Sequence, residues 1–250
     1  MSGSVTSRDL ILDRIRTATA QPLAPHVGEA TPAYIRTGEL DAAARLRLFT
    51  ERLREYDAEV VECSERRIGN CINDCLANSG RKTFLAPPGL PSEWVTLKFA
   101  WKVDRKLSYA DIEQCDGVVT TAAAGIADSG TIVLHHSASE GRRALTLLPD
   151  WHLCIVRVNQ IVETLPEYFA RCTPPPALAT FISGPSATAD IEMTRVKGVH
   201  GPRFLKVILV HETIPGEPDR PEPTSEIKRE PRNEPELPPR PHRTWRPFDR

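Results

Sequence analysis

At 250 residues and 27.8 kDa the chain is long enough to bury a sizeable core, and its 32 basic and 33 acidic side chains leave a formal charge of −1. No overall field therefore selects nucleic acid, an anionic membrane or a polyanionic substrate. The opening SVTSRDLILDRIRTATA interleaves Arg8, Asp9, Asp13, Arg14 and Arg16 with apolar residues, unlike a secretory signal, and the uncharged run GVVTTAAAGIA falls short of the roughly 18 apolar residues of a bilayer span.

Six cysteines, Cys63, Cys71, Cys75, Cys115, Cys154 and Cys172, are spread along the chain and do not frame a small disulfide-stapled domain. Reduced thiols and a cytoplasmic protein are the expectation.

Leu10, Ile11 and Ile15 give residues 5–20 a helical period that Pro22 and Pro25 end. ELDAAARLRLFTERLREYD, residues 39–57, places Leu40, Ala44, Leu48 and Leu53 near one face and predicts a second helix. Residues 1–57 are accordingly read as an N-terminal helical arm.

An α/β domain over 58–211 follows. AEVVE predicts a strand, ERRIGNCINDCLANSG a helix closed by Gly80, and KTFLAP a strand stopped by proline. DGVVTTAAAGIADSGTIVLHH predicts strands over 117–124 and 131–136 with a turn at Asp128, Ser129 and Gly130 that exposes its polar groups.

Strands are further expected at WHLCIVRV, ATFISG and FLKVILV, and helices at QIVETLPEYFARC and TADIEMTR. From Glu212 the chain turns to Pro, Glu and Arg with few aliphatic residues, which predicts a disordered tail over 212–250. Its PELPPRPHR segment has the composition of a polyproline II ligand or of a solubilising tail.

Three turns combine polar side chains with glycine. In SGPSATADIE, residues 183–192, Gly184 and Pro185 shape a turn into an expected helix, where Ser186 or Thr188 either caps backbone N–H groups or helps them hold an anion. Asp190, in the first turn of that helix, is a competitor for the same positive end. Asp190 and Glu192 are two apart, so they point to different helix faces and cannot form a dyad with each other.

GVHGP, residues 198–202, sets His200 beside Gly201, where an imidazole serves either the turn or proton transfer. GIADSGT, residues 125–131, is either an Asx-type hairpin turn or a loop that orients a polar substrate through Asp128, Ser129 and Thr131. His135 and His136 are adjacent at a strand end, point to opposite faces and are assigned no catalytic role. Cys71 and Cys75 share a helix face without further metal-ligand spacing, and no GxGxxG, GxxxxGK[ST] or GxSxG motif is present.

Taken together, GIADSGT, RRALTLLP at 142–149, SGPSATADIE and GVHGP resemble, in order and spacing, the LUD-domain family and within it the lactate-utilisation protein C group. The resemblance covers roughly residues 58–211. It implies a NagB/RpiA/CoA-transferase-like α/β fold and a part, with iron–sulfur partner proteins, in oxidising L-lactate to pyruvate.

The family's motif residues fall on Gly125, Asp128, Gly130, Thr131, Gly184, Ser186, Thr188 and Gly201, and with Ser129, which keeps the hydroxyl of the threonine found in many relatives, the resemblance makes them substrate-binding positions for a small anionic ligand. Asp190, Glu192 and His200 are the catalytic candidates, and no metal site is assigned. This chain has no CxxCxxCxxxCP run, so iron–sulfur clusters are expected in the partner subunit and no cofactor in this one. The other reading is a stand-alone enzyme of the same fold acting on an anionic substrate.

Overall fold

In the computed structural model, which describes residues 7–20, 37–188, 196–198 and 200–212, a six-stranded sheet forms the centre of the fold. It consists of β1 (Glu59–Ser64), β2 (Thr83–Ala86), β3 (Ala100–Val103), β4 (Gly117–Thr121), β7 (Trp151–Arg157) and β12 (Phe204–His211). Their order is β1-β12-β7-β4-β2-β3, and every neighbouring pair is parallel.

The central strands read as continuous apolar runs because both of their faces are covered. Along β7, Leu153 and Ile155 join Ile72 and Leu76 of α3 (Ile68–Asn78), while Cys154 and Val156 turn to the opposite layer with Phe49 and Leu53 of α2 (Ala42–Glu55). Along β12, Ile208 and Val210 take the first side and Val207 and Leu209 the second. This is the predicted α/β class: a parallel central sheet flanked by helices.

Local signals set the helix ends. Asp41 caps α2 by accepting from the Ala44 N–H at 2.7 Å, and α3 ends before Gly80, whose φ of +69° is the left-handed conformation expected there. The first helix, α1 (Ser7–Ala20), forms with no buried side chain.

A second sheet, in the order β8-β5-β6-β9, contains β5 (Ala124–Ile126), β6 (Thr131–Leu134), β8 (Ile161–Val162) and β9 (Thr180–Ile182). The strand expected over 117–124 is therefore divided, and its two parts belong to different sheets. The chain leaves the parallel sheet at Ala122, whose carbonyl accepts from Gln160 Nε2 at 3.0 Å, and the Ala123 N–H donates to Val133 at 2.9 Å. An apolar run hides such a change of partner.

Two further expectations are corrected. QIVETLPEYFARC begins as β8 and becomes helical only in α5 (Leu165–Arg171), where Thr164 and Glu167 form a capping box. Thr188 does not enter a helix, because β10 (Ala187–Thr188) pairs antiparallel with β11 (Val196–Lys197). Residues 189–195, which complete the expected helix, and the proline-rich tail from 213 lie outside the described residues.

The sequence also leaves β3 and α4 (Tyr109–Glu113) unread. No helix of the described residues is long and apolar enough to cross a membrane.

Candidate functional site

A cavity of about 270 Å³ lies where β9 and the turns at 183–187 and 200–202 meet the short 3-10 helix Arg143–Thr146. Gly184, Ser186, His200 and Gly201 line it, so two of the three polar turns do converge. Gly184 has φ +83°, and a Cβ there would come within 2.5 Å of the Tyr56 side chain. Glycine is required on both counts.

Ser186 is tied into the local backbone. Its N–H donates to the Pro202 carbonyl at 2.8 Å, and its own carbonyl accepts from the Gly198 N–H at 2.8 Å. Ser186 thus leads into β10, and the remainder of the helix expected after it lies outside the described residues. His200 is exposed at the rim, and Gly201 is buried against Ser186.

The loop 125–131 stands apart from the lining. Gly125 and Gly130 admit α2 closely: a Cβ on them would approach the Phe49 ring at 2.8 Å and the Arg52 Cβ at 2.6 Å. Asp128 and Ser129 are exposed, and the Asp128 N–H donates to the Glu163 carbonyl at 3.0 Å. Thr131 is the link, with its hydroxyl 2.7 Å from that of Ser129 and 2.7 Å from that of Ser183, which lines the cavity. Thr188 belongs to β10, and Asp190 and Glu192, between β10 and β11 in the chain, lie outside the described residues.

Residues that sequence reasoning did not select supply the cavity's charge. Arg143 projects into it and donates through Nη1 to the Thr180 hydroxyl at 2.6 Å. Its neighbour Arg142 is turned away, held by Asp104 through Nε at 2.7 Å and Nη2 at 3.0 Å and by the Leu107 carbonyl. The Arg142 guanidinium keeps the Asp104 carboxyl below its ordinary range. RRALTLLP carried this signal, but spacing alone does not say which arginine faces a cavity.

Behind Thr180 stands His136, whose Nε2 is 2.7 Å from the Thr180 hydroxyl and whose Nδ1 is 2.9 Å from the Gly141 carbonyl. A carbonyl only accepts, so Nδ1 carries the proton, and a neutral His136 accepts from Thr180 at Nε2. His135 points elsewhere, with Nε2 2.8 Å from the Tyr168 hydroxyl. At the cavity floor His152 is buried against Thr120 at 2.8 Å, and burial pushes its pKa down to about 4. Its imidazole is neutral at physiological pH.

Among the described residues the lining thus holds one arginine, two histidines, several hydroxyls and no carboxylate. Such a site attracts a small anion and can orient it by hydrogen bonds.

Residues 41–210 match the profile of the LUD domain. The chain is 40% identical over 186 residues to "Lactate utilization protein C" of Deinococcus radiodurans, an alignment that spans 73% of this chain and 87% of that protein. It is 32% identical over 146 residues to "Lactate utilization protein C 1" of Bacillus mycoides, covering 56% of each. A crystal structure of a DUF162 family protein from Deinococcus radiodurans superposes with a TM-score of 0.59 at 36% identity, over 69% of this chain and 99% of the other.

Proposed function

Because the chain belongs to the LUD domain family, we propose that it is a lactate-utilisation protein C-like subunit that takes part, with iron–sulfur partner proteins, in oxidising L-lactate to pyruvate. Its own contribution is to hold the small carboxylate in the cavity beside Arg143. The observation that carries this reading is the composition of that lining: Arg143, His152, His200 and the Ser183 and Ser186 hydroxyls, with no opposing carboxylate among the described lining residues.

Electron transfer falls to the partner subunits in this reading. The chain has no cysteine run spaced for a tetranuclear cluster, and its six cysteines form no disulfide. What this chain supplies is orientation. In this reading the guanidinium and the serine hydroxyls fix the acid, and His200, exposed at the rim, is the group assigned to pass a proton to or from the bound hydroxyl.

Reconstitution tests the proposal. The full chain with its co-purified iron–sulfur partners is expected to reduce a dye in an L-lactate-dependent manner, and omission of the chain or His200→Ala is expected to lower that rate. Undiminished dye reduction by the partners alone would contradict it. So would lactate oxidation by the isolated chain.

A further inference from the structure

The side chain of Arg143 is held in place by a relay of two residues that do not share its element. Its Nη1 donates to Thr180 at the start of the edge strand β9, and Thr180 in turn meets His136 Nε2. His136 is itself constrained: φ is +58°, uncommon for a residue with a Cβ, and its Nδ1 is fastened to the Gly141 carbonyl. The segment is held in this conformation by the buried Glu140, whose carboxylate accepts from the backbone N–H groups of His135 and Ser137.

The guanidinium thus rests on Thr180, Thr180 on His136, and the His136 backbone on the buried Glu140. Among the described residues Thr180 is the one hydrogen-bond partner of the Arg143 guanidinium, whose remaining N–H donors are left for a ligand in the cavity that Arg143 lines. The adjacent Arg142, spent on Asp104, has no such freedom.

Resting on the carboxylate-holding role proposed above, we propose that Arg143 is the specificity-determining residue of the cavity, receiving a short monocarboxylate on its open fork, and that Thr180 and His136 are positioning residues for it. A planar fork matches the two oxygens of a carboxylate in a bidentate pair. Arg143 is the one arginine or lysine among the described lining residues, and the buried His152 that also lines the cavity is neutral. One fixed positive charge balances a monoanion and leaves a phosphate dianion half compensated.

The test is a titration of the full-length chain by calorimetry with sodium pyruvate, sodium L-lactate, inorganic phosphate and the uncharged pyruvamide. Wild type is expected to take pyruvate or lactate in preference to phosphate and pyruvamide. Arg143→Ala weakens the carboxylates by on the order of tenfold or more, and Arg143→Lys, which keeps charge without a fork, by on the order of fivefold. Arg143 is exposed, so both variants should melt as wild type does.

Thr180→Val is expected to weaken carboxylate binding on the order of threefold without altering the weak pyruvamide response, and Thr180→Ser to restore it. Loss of packing alone would move both probes together, which would overturn the positioning role. Unchanged pyruvate and lactate affinity in Arg143→Ala, with weakening in Ser186→Ala, would overturn this inference and leave the cavity reading intact. Phosphate binding more tightly than either carboxylate would overturn the ligand assignment, and no binding of any carboxylate to wild type would overturn both.

Discussion

The hydroxyl of Thr131 lies 2.7 Å from that of Ser183, and this contact joins the β5–β6 hairpin, packed on α2, to the strand end that borders the cavity. It is how GIADSGT reaches the site without lining it. Thr131→Val removes the bond and leaves the shape, and is expected to cost about 1 kcal/mol in chemical denaturation and to weaken pyruvate binding. Thr131→Ser should recover most of both.

Gly184 is needed for its backbone and for the space above it. Gly184→Ala places a methyl group against Tyr56 in a left-handed conformation, at an expected cost of about 2 kcal/mol or more in unfolding free energy. Circular dichroism melts of the purified variant check this, and a melting temperature equal to wild type would show that the turn is free to re-form.

Arg142 and Asp104 fasten the segment that presents Arg143. Asp104 is 7% exposed, so Asp104→Asn leaves the guanidinium without its counter-charge at a half-buried position. A loss of about 2 kcal/mol is expected, with weaker carboxylate binding although neither residue lines the cavity. Because the folded state holds the Asp104 carboxyl below its ordinary value, the pair's contribution is present at neutral pH and is lost as pH falls through the lowered value.

His152 gives a second pH dependence. Its folded value of about 4 lies below the ordinary 6.5, so between those limits the unfolded chain binds a proton that the folded chain refuses. Stability is therefore full above pH 6.5 and declines toward pH 4, by on the order of 3 kcal/mol from this group. Urea denaturation of wild type and His152→Gln across that range should show the slope in the first and its reduction in the second.

The parallel sheet was legible because β7 and β12 are covered on both faces, and a strand buried twice announces itself as an uninterrupted apolar run. The division between β4 and β5 was not legible. A strand that changes sheets at Ala122 has the same composition as one that continues, and the decision is made by Phe49 and Gln160 from distant parts of the chain.

At the cavity, Gly184, Ser186, His200 and Gly201 could be found from turn chemistry, since glycine with polar neighbours marks a backbone that approaches something closely. Arg143, Thr180 and His136 could not. Each is an ordinary residue of a 3-10 turn, a strand or a strand end, and their relation depends on β9 lying beside β6.

The central claim is that the cavity beside Arg143 and Ser186 holds a small carboxylate. It is tested most directly by assigned amide spectra of the isotope-labelled full chain recorded with increasing sodium pyruvate. The account predicts saturable shifts at Arg143, Ser183, Ser186 and Gly201, with Asp128 and the Cys71–Cys75 face of α3 unmoved. Spectra that do not change at saturating pyruvate, or shifts that map to another surface, would contradict it.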